Sequence, residues 1–189
     1  LGFFTTSVFL NNWVTNTDNQ FRVTVNQSLL TALHVGFASS EPTEPLDLSG
    51  IDEAHAMPDT DCYGCHRQLD PLRLYFAQSF NSSYQLPFGR PIDQLIFDPV
   101  PSASFAFRGL VEDGGDLNDF GRLLAEHPRF GAAWVQKLCL YANSARCVES
   151  DPVFLELVAS FVQSNYDLHT LIIDLFSSPL VTGLTPVES

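Results

Sequence analysis

Apolar residues recur at helical spacing over most of this chain. Phe21, Val25, Leu29, Ala32 and Leu33 fall three or four apart and predict an amphipathic helix running to about Val35. Ahead of it, Val8-Phe9-Leu10 and Trp13 follow Thr5-Thr6-Ser7, the pattern of a short helix with hydroxyl caps, and Asn16-Thr17-Asp18-Asn19 supplies the next cap or turn. Beyond residue 116 the helical pattern returns. Asp116 can cap a helix over Leu117 to Glu126, with Phe120, Leu123 and Leu124 on one side. Pro128 opens a helix from Phe130 to Asn143 that carries Trp134, Leu138 and Tyr141. Asp151-Pro152 is a cap followed by proline at the first helical position, where its missing N–H costs nothing. The helix behind it carries Phe154, Leu157, Val158, Phe161 and Val162. Tyr166-Asp167 leads into Leu168, Leu171, Ile172, Leu175 and Phe176, and Pro179 and Gly183 stop this last helix.

Two stretches break the pattern. Residues 38–50 are rich in Ser, Pro, Glu and Asp and predict a loop. Residues 81–116 hold short apolar pieces, Leu95-Ile96-Phe97 and Phe105-Ala106-Phe107, separated by Pro99 and Pro101 and closed by Asp113-Gly114-Gly115-Asp116. They predict a loop-rich insert or a short β-ribbon. Between the two, Leu72 to Phe76 is helical in pattern, with Pro71 in its first turn. The expectation is a mainly α chain forming one compact domain. Its parts are residues 1–80, an insert over 81–116 and a helical part over 117–189.

The chemistry concentrates at Cys62-Tyr63-Gly64-Cys65-His66. This is C-x-x-C-H, the attachment signature of a c-type haem. Thiols three positions apart lie on neighbouring faces of one helical turn, where each can form a thioether to a vinyl group on one haem edge. The adjacent His66 is then placed to bind iron as the proximal ligand. With one such motif the expectation is one covalent haem c in a cytochrome c-like helical domain. Arg67 and Arg73 follow closely and are candidate partners for the haem propionates, since a guanidinium matches carboxylate geometry; both can equally be ordinary surface arginines.

Other chemistries use CxxC. A zinc knuckle needs a second ligand pair at similar spacing, and the remaining cysteines, Cys139 and Cys147, stand eight apart and far downstream. A dithiol redox site normally follows a buried strand, whereas the residues before Cys62 are acidic and not strand-like. In an oxidising compartment Cys139 and Cys147 would pair with each other; the alternative is two buried free thiols.

Composition narrows the partners. Among 189 residues 22 are acidic and 9 basic, a formal charge of −13. That excludes the basic footprint of nucleic-acid binding and disfavours docking on anionic lipid. It suits a basic redox partner. Charged residues make up 16% and aromatics 12%, with sixteen phenylalanines. So much apolar surface can be met by a haem, by an interface in a homo- or hetero-oligomer, or by a Phe-rich core. No apolar run approaches a membrane span, and no signal peptide is visible. The start at Leu1 reads as a processed product or a piece of a longer precursor. Haem c attachment takes place outside the bacterial cytoplasm, so a periplasmic or extracellular location is expected.

The order of these pieces resembles the C-terminal modules of large, mostly uncharacterised bacterial c-type cytochrome-like proteins. The resemblance is carried by Cys62 to His66, Asp70-Pro71, Gly89-Arg90-Pro91-Ile92-Asp93 and Phe107-Arg108-Gly109. It continues in His127-Pro128-Arg129-Phe130, Lys137-Leu138-Cys139-Leu140-Tyr141-Ala142 and Ser177-Ser178-Pro179-Leu180. It spans about residues 1–183, and only the CxxCH is specific by itself. It implies a predominantly helical, exported haem protein. Gln94-Leu95-Ile96-Phe97 is bulkier than the small-residue run that the pattern carries at that point.

The second axial ligand separates electron transfer from catalysis. His55 and Met57 both precede Cys62 by a few residues, and the seven residues from His55 can span roughly 23 Å when extended. His55 would give a bis-His centre of low potential and Met57 a His/Met centre of higher potential. His34, His127 or His169 could also serve, or the site could be open. For the other three histidines the sequence suggests structural places. His127 packs or caps at a helix junction, His169 is partly exposed, and His34 lies late in a helix where a protonated ring favours the dipole. The expected activity is electron carriage to a redox partner protein or to other haem subunits. The alternatives are a peroxidase-like enzyme, with Arg90 and Asp93 as distal groups, and a structural subunit in a multi-haem path.

Overall fold

The computed structural model describes residues 2–15, 19–38, 40–48, 50–51, 57–79 and 101–183. They are mainly helical. The chain divides into two compact units, Leu1–Thr31 with Val35–Glu126, and Ala32–His34 with His127–Ser189. Among the described residues no helix is long and apolar enough to cross a membrane.

In the first unit a single 3₁₀ turn, Phe3–Thr5, leads into α1 (Ser7–Asn12). Thr6 caps α1 by accepting from the Phe9 N–H. Helix α2 (Arg22–Leu33) follows. Val25, Leu29, Ala32 and Leu33 are buried on one face, as their spacing suggested; Thr24 and Ser28 share that face, and Val23 and Leu30 are exposed on the other. The buried hydroxyls are satisfied by backbone, Thr24 Oγ on the Trp13 carbonyl at 2.9 Å and Ser28 Oγ on the Thr24 carbonyl at 2.8 Å. That removes the penalty an unpaired buried hydroxyl would carry. The helix also stops two residues short of Val35, because His34 turns into the left-handed region at φ 56°.

Helix α3 (Tyr63–Ser79) runs unbroken through Pro71. Proline in mid-helix removes one backbone bond and crowds the carbonyl four residues back, a cost of about 3 kcal/mol. The expected helix start at Pro71 is therefore wrong, and the compensation is burial. Leu72, Leu74, Tyr75 and Phe76, just beyond the proline, are all buried. Each fully buried large apolar side chain contributes about 1.5–3 kcal/mol, so this face outweighs the local defect.

The insert contains a hairpin, β1 (Ser104–Phe107) paired antiparallel with β2 (Leu110–Asp113), with Phe107 opposite Leu110. Arg108 and Gly109 both take positive φ, 44° and 89°, as a tight two-residue hairpin turn requires. β1 is buried along its whole length and packs on α3. Helix α4 (Leu117–Glu126) begins at Asp116, whose Oδ1 accepts from the Asn118 and Asp119 N–H groups. The core centres on Phe120, whose ring lies 5.4 Å from Tyr75, 5.6 Å from Phe76 and 6.0 Å from Phe105. Phe21 stacks on Phe76 at 5.9 Å. Much of the phenylalanine in this half of the chain is thus spent on one aromatic core.

The second unit holds α5 (Phe130–Asn143), α6 (Pro152–Gln163), α7 (Leu168–Ser177) and the short α8 (Pro179–Thr182). Asp151 and Asp167 cap α6 and α7 through the Val153 and His169 N–H groups. Pro179 ends α7 but also opens α8, which closes at Gly183 with φ 67°; the sequence had suggested only a stop. Val135, Cys139, Phe154, Leu157, Phe161, Leu171 and Leu175 form the core. A disulfide joins Cys139 to Cys147, with Cα atoms 5.8 Å apart.

Candidate functional site

The CxxCH sits at the first turn of α3. A turn at Thr60, which donates N–H and hydroxyl to the Met57 carbonyl, delivers the chain to Cys62. The Cys62 carbonyl then accepts from the His66 N–H at 3.1 Å and starts the helix. Both motif thiols are free: Cys62 is exposed and Cys65 half-buried. Met57 is 58% exposed. His55, Arg90 and Asp93 lie outside the described residues, as does the Gly89 to Asp93 element.

The His66 ring is 21% exposed, and its Nδ1 lies 3.3 Å from Oδ2 of Asp70, one turn further along α3. Asp70 has no exposed side-chain surface. Its other oxygen, Oδ1, accepts from Arg22 Nε at 2.6 Å and lies 3.7 Å from Arg73 Nε. A buried carboxylate is tolerated only when it is paired in this way. Arg73 is itself buried, donating from Nη1 to Gln20 Oε1 and from Nη2 to the Gly50 carbonyl at 3.2 Å. Gly50 packs closely there: a Cβ at that position would meet Leu74 Cδ1 at 2.5 Å and force that side chain to shift. Gln20 and Phe21 both hold positive φ, 45° and 70°, a strained pair fixed by Thr15 and Asn19, which accept from the Phe21 N–H.

Arg67 leaves the other side of the helix. It donates to the Glu44 carboxylate and, at 2.9 Å, to the Glu41 carbonyl, while its Nε is buried without a hydrogen-bond partner. Gln68 donates to the Thr43 carbonyl. Segment 40–48 is thereby stitched to α3. Its far side is held by the hairpin, through Arg108 N–H on Glu41 Oε1 at 3.1 Å and Gly109 N–H on Thr43 Oγ at 3.0 Å.

No protein-family model, curated protein or solved structure matches the chain. What the site can do rests on its own groups.

The other histidines belong to the second unit. His127 is buried and its Nδ1 accepts from the Arg129 N–H at 3.1 Å, a cap at the start of α5. His169 is exposed at the start of α7. His34 follows directly after the end of α2. Burial holds it below the ordinary imidazole value, and Arg146, Lys137 and Arg129 add to that against the opposing Glu149. The sequence reading missed Asp70, Arg22 and Gln20 as parts of the site. The available signal was the four-residue spacing of His66 and Asp70, which places both on one helix face.

Proposed function

We propose that this chain is a monohaem c-type cytochrome that carries electrons in an exported protein. The observation that supports this most is the different state of the two cysteine pairs. Cys139 and Cys147 are joined, whereas Cys62 and Cys65 stay free at a partly exposed helix start with His66 beside them. Cys139 and Cys147 are therefore not available as a second zinc ligand pair. The donor set fits haem c: two thiols for thioethers, and an imidazole whose Nδ1 faces a carboxylate, with Nε2 as the nitrogen that would take iron.

When bound, haem c supplies one-electron exchange between ferric and ferrous iron. Cys62 and Cys65 would tether it, and His66 would bind its iron. Arg67, whose side chain is 20% exposed, suits a propionate better than Arg73, which is 2% exposed and spends Nη1 and Nη2 on Gln20 and the Gly50 carbonyl. His55 or Met57 would complete the iron's ligands. An oxidising compartment suits both haem attachment and the Cys139–Cys147 disulfide. The fold, in this reading, is a cytochrome c-like helical domain, and the partner is a redox protein or another haem subunit.

A spectroelectrochemical titration of the matured protein tests this. The reading expects one low-spin haem that titrates as a single one-electron couple without peroxide turnover. High-spin iron that binds peroxide and turns it over would replace the electron carrier with an enzyme.

A further inference from the structure

Asp70 is fully buried, and its two oxygens face different groups: Oδ1 the guanidinia of Arg22 and Arg73, Oδ2 the His66 ring. The aspartate lies one turn from His66 on the same helix, and its carboxylate is held by Arg22 and Arg73. Arg22 anchors it from α2, and Arg73 is fixed in turn by Gln20 and the Gly50 carbonyl. Such a clamp is more than a buried ion pair needs. Arg22 alone, at 2.6 Å, would satisfy one oxygen; the other is aimed at a ring that stays 21% exposed.

We propose that Asp70 is a positioning residue for His66. It accepts the Nδ1 proton, holds the imidazole with Nε2 directed away from the helix partner, and makes the ring a stronger donor that favours ferric over ferrous iron. This rests on the haem reading above. Histidine ligands are generally oriented and made more basic by a carboxylate or carbonyl on their second nitrogen. Here that acceptor carries a charge, partly offset by two arginines. Arg22 and Arg73 thereby set how much of the Asp70 charge the ring feels. The redox potential becomes a property of a four-residue ladder, His66, Asp70, Arg22 and Arg73, and not of the motif alone.

The test uses the matured haem protein and two measurements. In the diamagnetic ferrous wild type, proton NMR should show the His66 Nδ1–H far downfield and protected from solvent exchange. In Asp70→Asn the midpoint should rise so that the ferrous form is favoured about tenfold more, which is about 59 mV for one electron. Arg22→Gln, which uncovers the aspartate charge, should move it in the opposite direction. A wild-type Nδ1–H that exchanges freely would overturn the proposal even if the variants do not fold. So would a midpoint in Asp70→Asn within about twofold of wild type. Absence of covalent haem from the wild type is a different result and would remove the haem reading itself.

Discussion

Arg22 Nε lies 2.6 Å from Asp70 Oδ1, tying α2 to α3 across 48 residues of sequence. Asp70 is fully buried and Arg22 nearly so, at 11% exposed. Truncating one partner leaves the other's charge in the interior, which is where buried pairs become costly to break. Arg22→Ala should lower stability by about 3 kcal/mol, read as a shift in the urea midpoint at unchanged slope. A loss under about 1 kcal/mol would mean that Arg73, at 3.7 Å, suffices for Asp70.

Phe120 touches the rings of Tyr75, Phe76 and Phe105 and so joins α3, β1 and α4. Phe120→Ala removes the shared centre and leaves a cavity that three rigid rings cannot fill. Chemical denaturation should register a loss of about 3–5 kcal/mol. A loss near 1 kcal/mol would indicate that the core collapses around the gap.

Much of the fold was legible because its signals are local. A cap speaks to the next two or three residues, so Asp116, Asp151-Pro152 and Asp167 marked their helices from sequence. Pro71 misled because the local cost of a mid-helix proline is visible in sequence and the burial of Leu72 to Phe76 that offsets it is not. That error had a consequence at the site. Breaking the helix at Pro71 separated Asp70 from His66, although the two lie one turn apart. Arg22 and Gln20 could not be found by any local pattern, since they reach Asp70 and Arg73 through tertiary packing. Of the two candidates for the distal ligand, Met57 is placed in an exposed turn and His55 falls outside the described residues.

The Cys139–Cys147 link closes a short loop between α5 and α6. Chain-entropy arguments assign a loop of this size about 2–3 kcal/mol. Cys139→Ala/Cys147→Ser should unfold at correspondingly lower denaturant than the oxidised wild type, and reductant should shift the wild type the same way. No shift on reduction would show that the link constrains neither state.

His34 makes the second unit sensitive to acid. Its ordinary value is 6.5, and in the folded chain it is lowered first by burial and then by Arg146, Lys137 and Arg129, with Glu149 opposing. The unfolded chain therefore binds more protons near and below that pH. Stability from this group is full above about 6.5 and is lost as pH falls through the lower folded value. His34→Asn, which tolerates the left-handed backbone at this position, should flatten the stability profile between about pH 7.5 and 5 relative to wild type. Parallel profiles would contradict the assignment.

The central claim is that Cys62 and Cys65 hold a haem covalently, with His66 as its ligand. The most direct measurement is the pyridine haemochrome spectrum and intact mass of the protein, produced by export through a cytochrome c maturation system and then denatured. The account predicts one haem retained per chain with a c-type ferrous band, lost in Cys62→Ala/Cys65→Ala. A denatured wild-type chain at its bare polypeptide mass, with no haem band, would contradict it.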